Sequence, residues 1–320
     1  MSTRADEGMA AGFSLQLVMT GGLVMPAGIL HHITSMKERR VRDDDIFVCT
    51  YPKSDSRDFA GIVLTDTYIN SVTHRTSLRT GTHWVWEMLN MAVAGEPEYA
   101  KHWQNCSFYE SRTEDELDTL PSPRIIFTHL TPDLLPQDIW NRKCRVVNVQ
   151  RNPKDAVVSF FVQHTNQNWV DKSRDPAFVG SWDNYVDAHI KGNVPFDSVM
   201  EHSLRWNRFP QEHPDVPFLQ VQFEDLKKDA VREVQRLAEF INRPLSGDVY
   251  EQIADACSFS KLKYASENIK DQTFHNRWRE GSSGYFRKGE TGDWKNWFTV
   301  AQSERFDVVY QQLYNHPFPY

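Results

Sequence analysis

Two short stretches of the sequence carry the side chains of a phosphate-binding turn. Residues 50–54 (TYPKS) follow an apolar run typical of a strand, and residues 81–84 (GTHW) open a run typical of a helix. Glycine lets the backbone approach an anion, a helix N-terminus offers unpaired N–H groups, and lysine and hydroxyl side chains add contacts. Together they predict a phosphate cradle, although either stretch alone fits a plain strand-to-helix turn equally well. The phosphate-loop pattern GxxxxGK(S/T) is absent from the sequence.

A histidine at the end of another strand-like run is a candidate general base. His129 follows the apolar run Ile125–Phe127 and Thr128. Ligands of open α/β sheets bind beyond the carboxyl ends of the strands, and imidazole has a pKa near the pH at which most enzymes work. A lone histidine in such a place is more often a structural residue, so its surroundings must decide its role.

The elements that must position these residues alternate along the chain. Four short, nearly continuous apolar runs are typical of buried parallel strands: Ile46–Cys49, Ile125–Phe127, Val146–Val149 and Phe218–Val221. Helical periodicity follows in residues 81–95, 154–164 and 226–241. This alternation predicts one α/β domain over residues 1–320, with a central, mostly parallel sheet flanked by helices.

Residues 55–80 interrupt this order. Asp55–Thr80 falls between a strand end and a helix start, where a connection normally has about 2–6 residues. We therefore interpret it as an insertion in the cradle that separates Lys53 and Ser54 from Gly81. Two explanations stay open: a real variant with a bulged loop, or untranslated sequence read through into the coding frame.

Composition and charge exclude several classes of protein. Of the 320 residues, 40% are hydrophobic and 25% charged, as in an ordinary globular protein and unlike a disordered chain. The net charge of −7 speaks against a general nucleic-acid binder. The apolar stretch Phe13–Leu30 contains glycines and a proline and follows acidic residues, unlike a membrane span or a secretory leader. The four scattered cysteines fit neither a zinc cluster nor a disulfide framework, so we expect a cytoplasmic protein.

The motifs, taken in order, resemble those of the cytosolic sulfotransferase family. Residues 50–54 joined to 81–84 resemble its 5′-phosphosulfate-binding loop, and Arg151–Asp155 with Ser159 resembles its 3′-phosphate motif. Residues 286–289 (FRKG) and 292–295 (GDWK) resemble its RKGxxGDWK motif. Residues 123–136 (PRIIFTHLTPDLLP) resemble the segment with its catalytic histidine. The resemblance runs from about Asp44 to Asp307, excluding the inserted segment, and four motifs in the family's order are poorly explained by chance.

The resemblance implies a P-loop-related sulfotransferase fold. Such an enzyme transfers a sulfonate group from 3′-phosphoadenosine 5′-phosphosulfate (PAPS) to a hydroxyl or amine of a small, largely apolar phenol, alcohol, steroid or amine. His129 would be the general base, Lys53 would stabilise charge on the leaving phosphate, and Ser159 would hold the 3′-phosphate and restrain Lys53. No metal is implied. The residues implied in donor binding are Lys53, Ser54, Gly81, Thr82, His83, Trp84, Arg151, Ser159, Phe223, Cys257, Phe259, Leu262, Phe286, Arg287, Lys288 and Gly289.

The resemblance extends to a dimer and to the acceptor pocket. The family's KxxxTVxxxE motif for homodimers is matched by Lys295, Thr299, Val300 and Glu304, although Thr299 with Gln302 is also a plain capping box. Phe127 stands where several members have lysine and predicts a more apolar acceptor wall. The candidate acceptor segments are Leu23–Pro26, the region of Phe108–Tyr109 and the loop near Trp182.

Three alternatives stay open. Leu78–Thr82 imitates the cradle, so Arg79 could replace Lys53 with Ile62–Leu64 as the strand, although residues 44–54 fit the family better. The interrupted cradle could leave a catalytically impaired binding protein. A nucleotide kinase with a related sheet is disfavoured, because GxxxxGK(S/T) is absent and the 3′-phosphate residues are present.

Overall fold

The computed structural model describes residues 2–29, 35–52, 81–101, 104–166, 177–267 and 288–315. Its strands are β1 (Leu17–Thr20), β2 (Leu23–Pro26), β3 (Ile46–Thr50), β4 (Ile125–Thr128), β5 (Arg145–Gln150) and β6 (Phe218–Gln222). Its helices are α1 (Arg4–Ala11), α2 (Gly81–Ala94), α3 (Glu114–Asp118), α4 (Gln137–Asn141), α5 (Pro153–Asn166), α6 (Trp182–Ile190), α7 (Val199–Glu212), α8 (Phe223–Lys228), α9 (Ala230–Phe240), α10 (Gly247–Ala256), α11 (Phe259–Glu267) and α12 (Val300–Tyr314).

The central sheet is parallel, as the sequence predicts. Its four described strands run in the order β4-β3-β5-β6, while β1 and β2 form a separate antiparallel pair. Cys49 lies opposite both Thr128 and Asn148, so the carboxyl ends of β3, β4 and β5 lie level at one edge. Because β3 has β4 on one side and β5 on the other, the strand order reverses here. The crevice beyond β3 and β5 is therefore the expected ligand position.

Helices cover both faces of this sheet, because alternate side chains of each strand enter different cores. Phe47 and Cys49 of β3 join the core with α5 and α7, whereas Ile46 and Val48 join the core with α2 and α9. All five residues of β3 are buried, which explains why the strand reads as a continuous apolar run. None of the described helices is long and apolar enough to cross a membrane.

One helix of the sequence prediction is wrong. The periodicity of residues 226–241 predicts one helix, but the chain forms α8 and α9, with Asp229 between them at φ −152° and ψ 81°. The Asp229 carboxylate accepts the N–H of Arg232 at 3.0 Å and thereby caps α9. The capping aspartate breaks the helix without disturbing the apolar spacing.

Candidate active site

Three strands of the central sheet are followed directly by a predicted site residue. His129 follows β4, Arg151 follows β5, and Phe223 follows β6. Parallel strands bring their carboxyl ends to one edge, so these three segments, far apart in sequence, meet there.

α2 begins at Gly81, so the predicted cradle residues Gly81–Trp84 form its first turn. Within it, His83 is fully buried, and its Nε2 lies 3.2 Å from a carboxylate oxygen of Glu87 one turn along. Trp84 is half-buried, and its indole Nε1 has no hydrogen-bonding partner among the described residues. A buried indole N–H normally finds a partner, so this orphan donor fits a bound ligand.

The other half of the cradle lies outside the described residues. This applies to Lys53 and Ser54, to Arg79, to the predicted insertion Asp55–Thr80, and to the side chain of Thr82. The strand Ile46–Thr50 nevertheless bonds to β4 and β5 in the middle of the sheet. This position favours the interpretation with Lys53 over the one with Arg79, because β3 is the strand that leads to Lys53.

Aromatic rings and an arginine meet beyond β5 and β6. The ring centroids of Trp84 and Phe223 are 5.9 Å apart. The guanidinium carbon of Arg151 lies 4.4 Å from the centroid of Phe223, and Arg151 Nη2 donates to the carbonyl of Glu290 at 2.9 Å. A flat apolar surface beside a fixed guanidinium suits a purine nucleotide with a terminal phosphate.

The C-terminal motif reaches the same place. Gly289 has φ +65°, and a Cβ there would collide with the ring of Phe259, so only glycine fits. Cys257 and Leu262, on either side of Phe259, are buried. Lys288 Nζ lies 2.6 Å from a carboxylate oxygen of Asp293. Phe286 and Arg287 lie outside the described residues.

The sequence analysis did not assign the residue that joins these two motifs. Asp155, in the first turn of α5, accepts the N–H of Gly292 at 2.6 Å and that of Trp294 at 2.9 Å. It thereby ties the segment of Arg151 to that of Lys288 and Gly289. Ser159, half-buried, lies one turn beyond Asp155 on the same side of α5. Asp155 belongs to the motif Arg151–Asp155, and this membership is the sequence signal that could have revealed it.

His129 is completely buried, and hydrogen bonds fix its tautomer. Its Nδ1 lies 3.0 Å from the carbonyl oxygen of Thr50 and 3.1 Å from the hydroxyl oxygen of the same residue. A carbonyl oxygen only accepts, so Nδ1 carries the proton and the lone pair is on Nε2. The strand β3 therefore holds the ring in the tautomer of a base.

Three phenylalanine rings surround this imidazole. The centroids of Phe108, Phe127 and Phe196 lie 5.3, 5.9 and 5.8 Å from that of His129. Phe108 and Phe127 stack at 4.6 Å with their planes 8° apart. Phe196 has φ +66° and donates its N–H to Val24 at 2.8 Å, which brings β2 to this place. Trp182, in contrast, packs on Phe161, Trp297 and Phe298.

Fold and site together define an α/β enzyme with a nucleotide site and a buried histidine at the carboxyl edge of its sheet. Residues 43–316 match the family model described as the sulfotransferase domain. The chain is 32% identical to sulfotransferase 1B1 of dog, covering 85% of this chain and 83% of that protein. It is 31% identical to human sulfotransferase 1E1, covering 91% and 90% of the two chains. The chain belongs to the sulfotransferase family.

Solved structures support the same fold. Mouse sulfotransferase SULT7A1, solved with PAP, has a TM-score of 0.66 at 24% identity and covers 92% of this chain and 94% of its own. Retinol dehydratase, solved with androsterone and inactive cofactor PAP, has a TM-score of 0.72 at 17% identity and covers 99% of this chain and 95% of its own.

Proposed function

We propose that this sulfotransferase moves a sulfonate group from PAPS to a hydroxyl or amine of a small, largely apolar acceptor. One observation carries the proposal: His129 is fixed with its lone pair on Nε2, among three phenylalanine rings, at the edge of the sheet that also bears Arg151. An acid–base group and an apolar pocket beside a nucleotide site are what such a transfer needs.

In this proposal His129 Nε2 takes the proton of the acceptor hydroxyl as the acceptor oxygen bonds to sulfur. The bond between sulfur and the bridging oxygen of the 5′-phosphate would break at the same time, and adenosine 3′,5′-bisphosphate would leave. The Thr50 carbonyl, which accepts from Nδ1–H, stabilises the imidazolium that forms. Phe108, Phe127 and Phe196 bind the apolar body of the acceptor. Since Phe127 contributes no charge, acceptors with a carboxylate gain nothing from this wall, and neutral aromatic or alicyclic acceptors are preferred.

When bound, PAPS supplies the sulfonate group and carries phosphates at two separate places. Arg151, Ser159 and Lys288 would hold the 3′-phosphate together with Arg287, and Lys288 would exchange Asp293 for the phosphate. Lys53 and the N-terminus of α2 would hold the 5′-phosphosulfate, where lysine stabilises the charge that develops on the leaving phosphate. Trp84, Phe223, Cys257, Phe259 and Leu262 would enclose the adenine.

The test is turnover of PAPS by the recombinant chain with a panel of neutral phenols and alcohols. General-base catalysis contributes about 100- to 10,000-fold, so His129→Ala should lower kcat by at least about 100-fold. Calorimetry with adenosine 3′,5′-bisphosphate should show unchanged affinity, since the proposal has His129 contact the acceptor and not the nucleotide. An unchanged kcat would refute the role of His129, and absence of PAPS turnover would refute the function.

A matched experiment addresses the segment Asp55–Thr80. The same nucleotide is titrated into the full chain and into a variant that lacks these residues. Equal, tight binding would mean that the segment bulges away from an intact cradle. Binding by the deletion variant alone would mean that the shorter chain is the enzyme.

We further propose a homodimer and a cytoplasmic location. Lys295, Thr299, Val300 and Glu304 are all exposed, and Val300 exposes 75% of its surface, which suits a small contact between two copies. The four cysteines are free, which suits a reducing compartment. Val300→Glu should convert a dimer into a monomer in sedimentation velocity, and a monomeric parent chain would refute the dimer.

A further inference from the structure

The peptide groups on both sides of the His129 side chain are held by buried side chains from other elements. Glu110, in the 3₁₀ turn Tyr109–Ser111, accepts the backbone N–H of His129 on Oε1 at 2.5 Å. His202 of α7 donates from Nε2 to the carbonyl of His129 at 3.0 Å. Glu110 is 0% exposed and His202 2% exposed. The backbone of the base is thus held independently of its ring.

Burying the Glu110 carboxyl group costs free energy. A carboxyl group buried this completely loses its hydration, and burial raises the pKa of Glu110 to about 8. The backbone N–H of His129 and the hydroxyl of Thr128 act in the opposite direction on this pKa, but burial is the larger effect. Among the described residues, the charged or titratable groups that face Glu110 are Arg39, Tyr109, Cys49 and His129. Arg39 donates to the carbonyl of Tyr109 at 2.6 Å.

The place of the bond between Glu110 and the His129 N–H indicates what this bond constrains. His129 follows β4, whose residues are fixed by the sheet, but its own backbone N–H lies beyond the last register pair, Cys49 with Thr128. The bond to Glu110 fixes the backbone of the next residue after the strand, His129. Without it, the N–H side of His129 would lose this constraint, while the bonds of its carbonyl to His202 and of Nδ1 to Thr50 would remain.

We propose that Glu110 is a positioning residue for sulfonate transfer, which sets the direction of His129 Nε2 by holding the backbone N–H of that histidine. This inference rests on the proposed function. A neutral carboxyl and a carboxamide both present an oxygen that accepts an N–H, so Glu110→Gln should keep kcat within about threefold of the parent at pH 7. Glu110→Met keeps the volume but removes the acceptor. Because a shift of about 1 Å in a catalytic group costs about 100-fold, kcat of Glu110→Met should fall by one to two orders of magnitude, with the KM for PAPS unchanged.

A double-mutant cycle separates positioning from a merely structural role. If Glu110 acts through His129, Glu110→Met should cause no further loss of turnover in the His129→Ala background. Glu233 of α9 is the matched control, because it is 1% exposed and paired with Arg236 at 2.5 Å, and among the described residues its contacts do not include His129. Glu233→Met should lower the melting temperature without lowering kcat per folded molecule. Additive losses in the cycle, or equal kcat for the parent and Glu110→Met, would overturn the proposal.

A second readout does not depend on turnover. Imidazole ¹⁵N chemical shifts of the full chain, with His129 assigned from His129→Ala, should report the Nδ1–H tautomer in the parent and in Glu110→Gln. Glu110→Met should show mixed tautomers. A pure Nδ1–H tautomer in Glu110→Met would overturn the positioning role even if the parent chain did not turn over PAPS, whereas failure of the proposed function would leave the tautomer pattern of the parent intact.

Discussion

Burial controls the protonation of single residues around the base. Burial lowers the pKa of His202 to about 3, so its Nε2 stays a neutral donor to His129 at every working pH. The same cause lowers the pKa of His189 to about 3, and its Nε2 lies 3.0 Å from the hydroxyl of Tyr51. His202, which bonds to His129, therefore keeps one protonation state over the pH range in which the proposed base would exchange a proton.

Glu110 is the exception, because its protonation state changes near neutral pH. We therefore expect the stability of the protein to depend on pH. Its pKa rises on folding from the usual 4.5 to about 8 because of burial, so the folded state binds the proton more tightly than the unfolded state. This contribution is complete below pH 4.5 and is lost as the pH rises towards 8. We therefore expect the free energy of unfolding of the parent to fall relative to that of Glu110→Gln between pH 5 and pH 8.5, measured by urea denaturation. A difference that does not change with pH would contradict the prediction.

At the scale of elements, the site depends on how α5 begins. The side chain of Asn152 accepts the N–H groups of Lys154 and Asp155 at 3.0 and 3.2 Å, and so caps the helix. Its own N–H donates to Glu224 at 3.0 Å, which joins the end of β5 to the start of α8. Lys154 is 1% exposed and reaches Asp307 of α12 at 2.6 Å. These contacts fix the strand end that carries Arg151.

The link through Asp155 gives a prediction at this scale. Asp155→Ala should weaken binding of adenosine 3′,5′-bisphosphate by about tenfold or more in calorimetry, because two charge-assisted bonds to N–H groups are lost and the segment that carries Lys288 is no longer tied to α5. Asp248→Ala is the control, since Asp248 is exposed on α10 and bonds only to Gln252 among the contacts described. Equal affinity of the Asp155 variant and the control would mean that the C-terminal motif is held by other contacts.

At the scale of the whole molecule, the N-terminal region reaches the surroundings of the base. Arg4 of α1 contacts the Asp197 carboxylate at 2.6 Å and the carbonyl of Gly22 at 2.5 Å. Asp197 follows Phe196, and both residues have positive φ, an arrangement that costs free energy for side chains other than glycine. The first helix thus stabilises a strained turn whose phenylalanine lies beside His129.

This long-range pair predicts a destabilisation that depends on pH. Burial raises the pKa of Asp197 to about 6, so its carboxylate needs Arg4 above that pH and much less below it. Arg4→Ala should cost about 1.5–3 kcal/mol at pH 7.5 and clearly less at pH 5, measured by chemical denaturation. When Asp197→Asn is also present, the destabilisation caused by Arg4→Ala should no longer depend on pH. Asparagine tolerates the same backbone and carries no charge. A cost that is equal at both pH values would refute the role of the ion pair.

Much of the fold and part of the site could be predicted from sequence. The four central strands are continuous apolar runs because both faces are buried, and residues predicted from separate motifs, Trp84, Arg151, Phe223, Phe259 and Gly289, come together. The break at Asp229 and the contact of Trp182 with α12 were not predictable, because a local cap and a distant packing partner leave the apolar spacing unchanged.

The sequence by itself determined the family and the parallel α/β sheet. It also pointed to the basic and aromatic residues predicted to bind the donor. Each of these depends on residue types in a fixed local order. Only the tertiary structure decided how His129 is held. Its ring is bonded to Thr50, its N–H to Glu110 and its carbonyl to His202, from three elements far apart in the chain. The tautomer and the protonation of these groups follow from burial and from distances between segments, which local residue patterns do not contain.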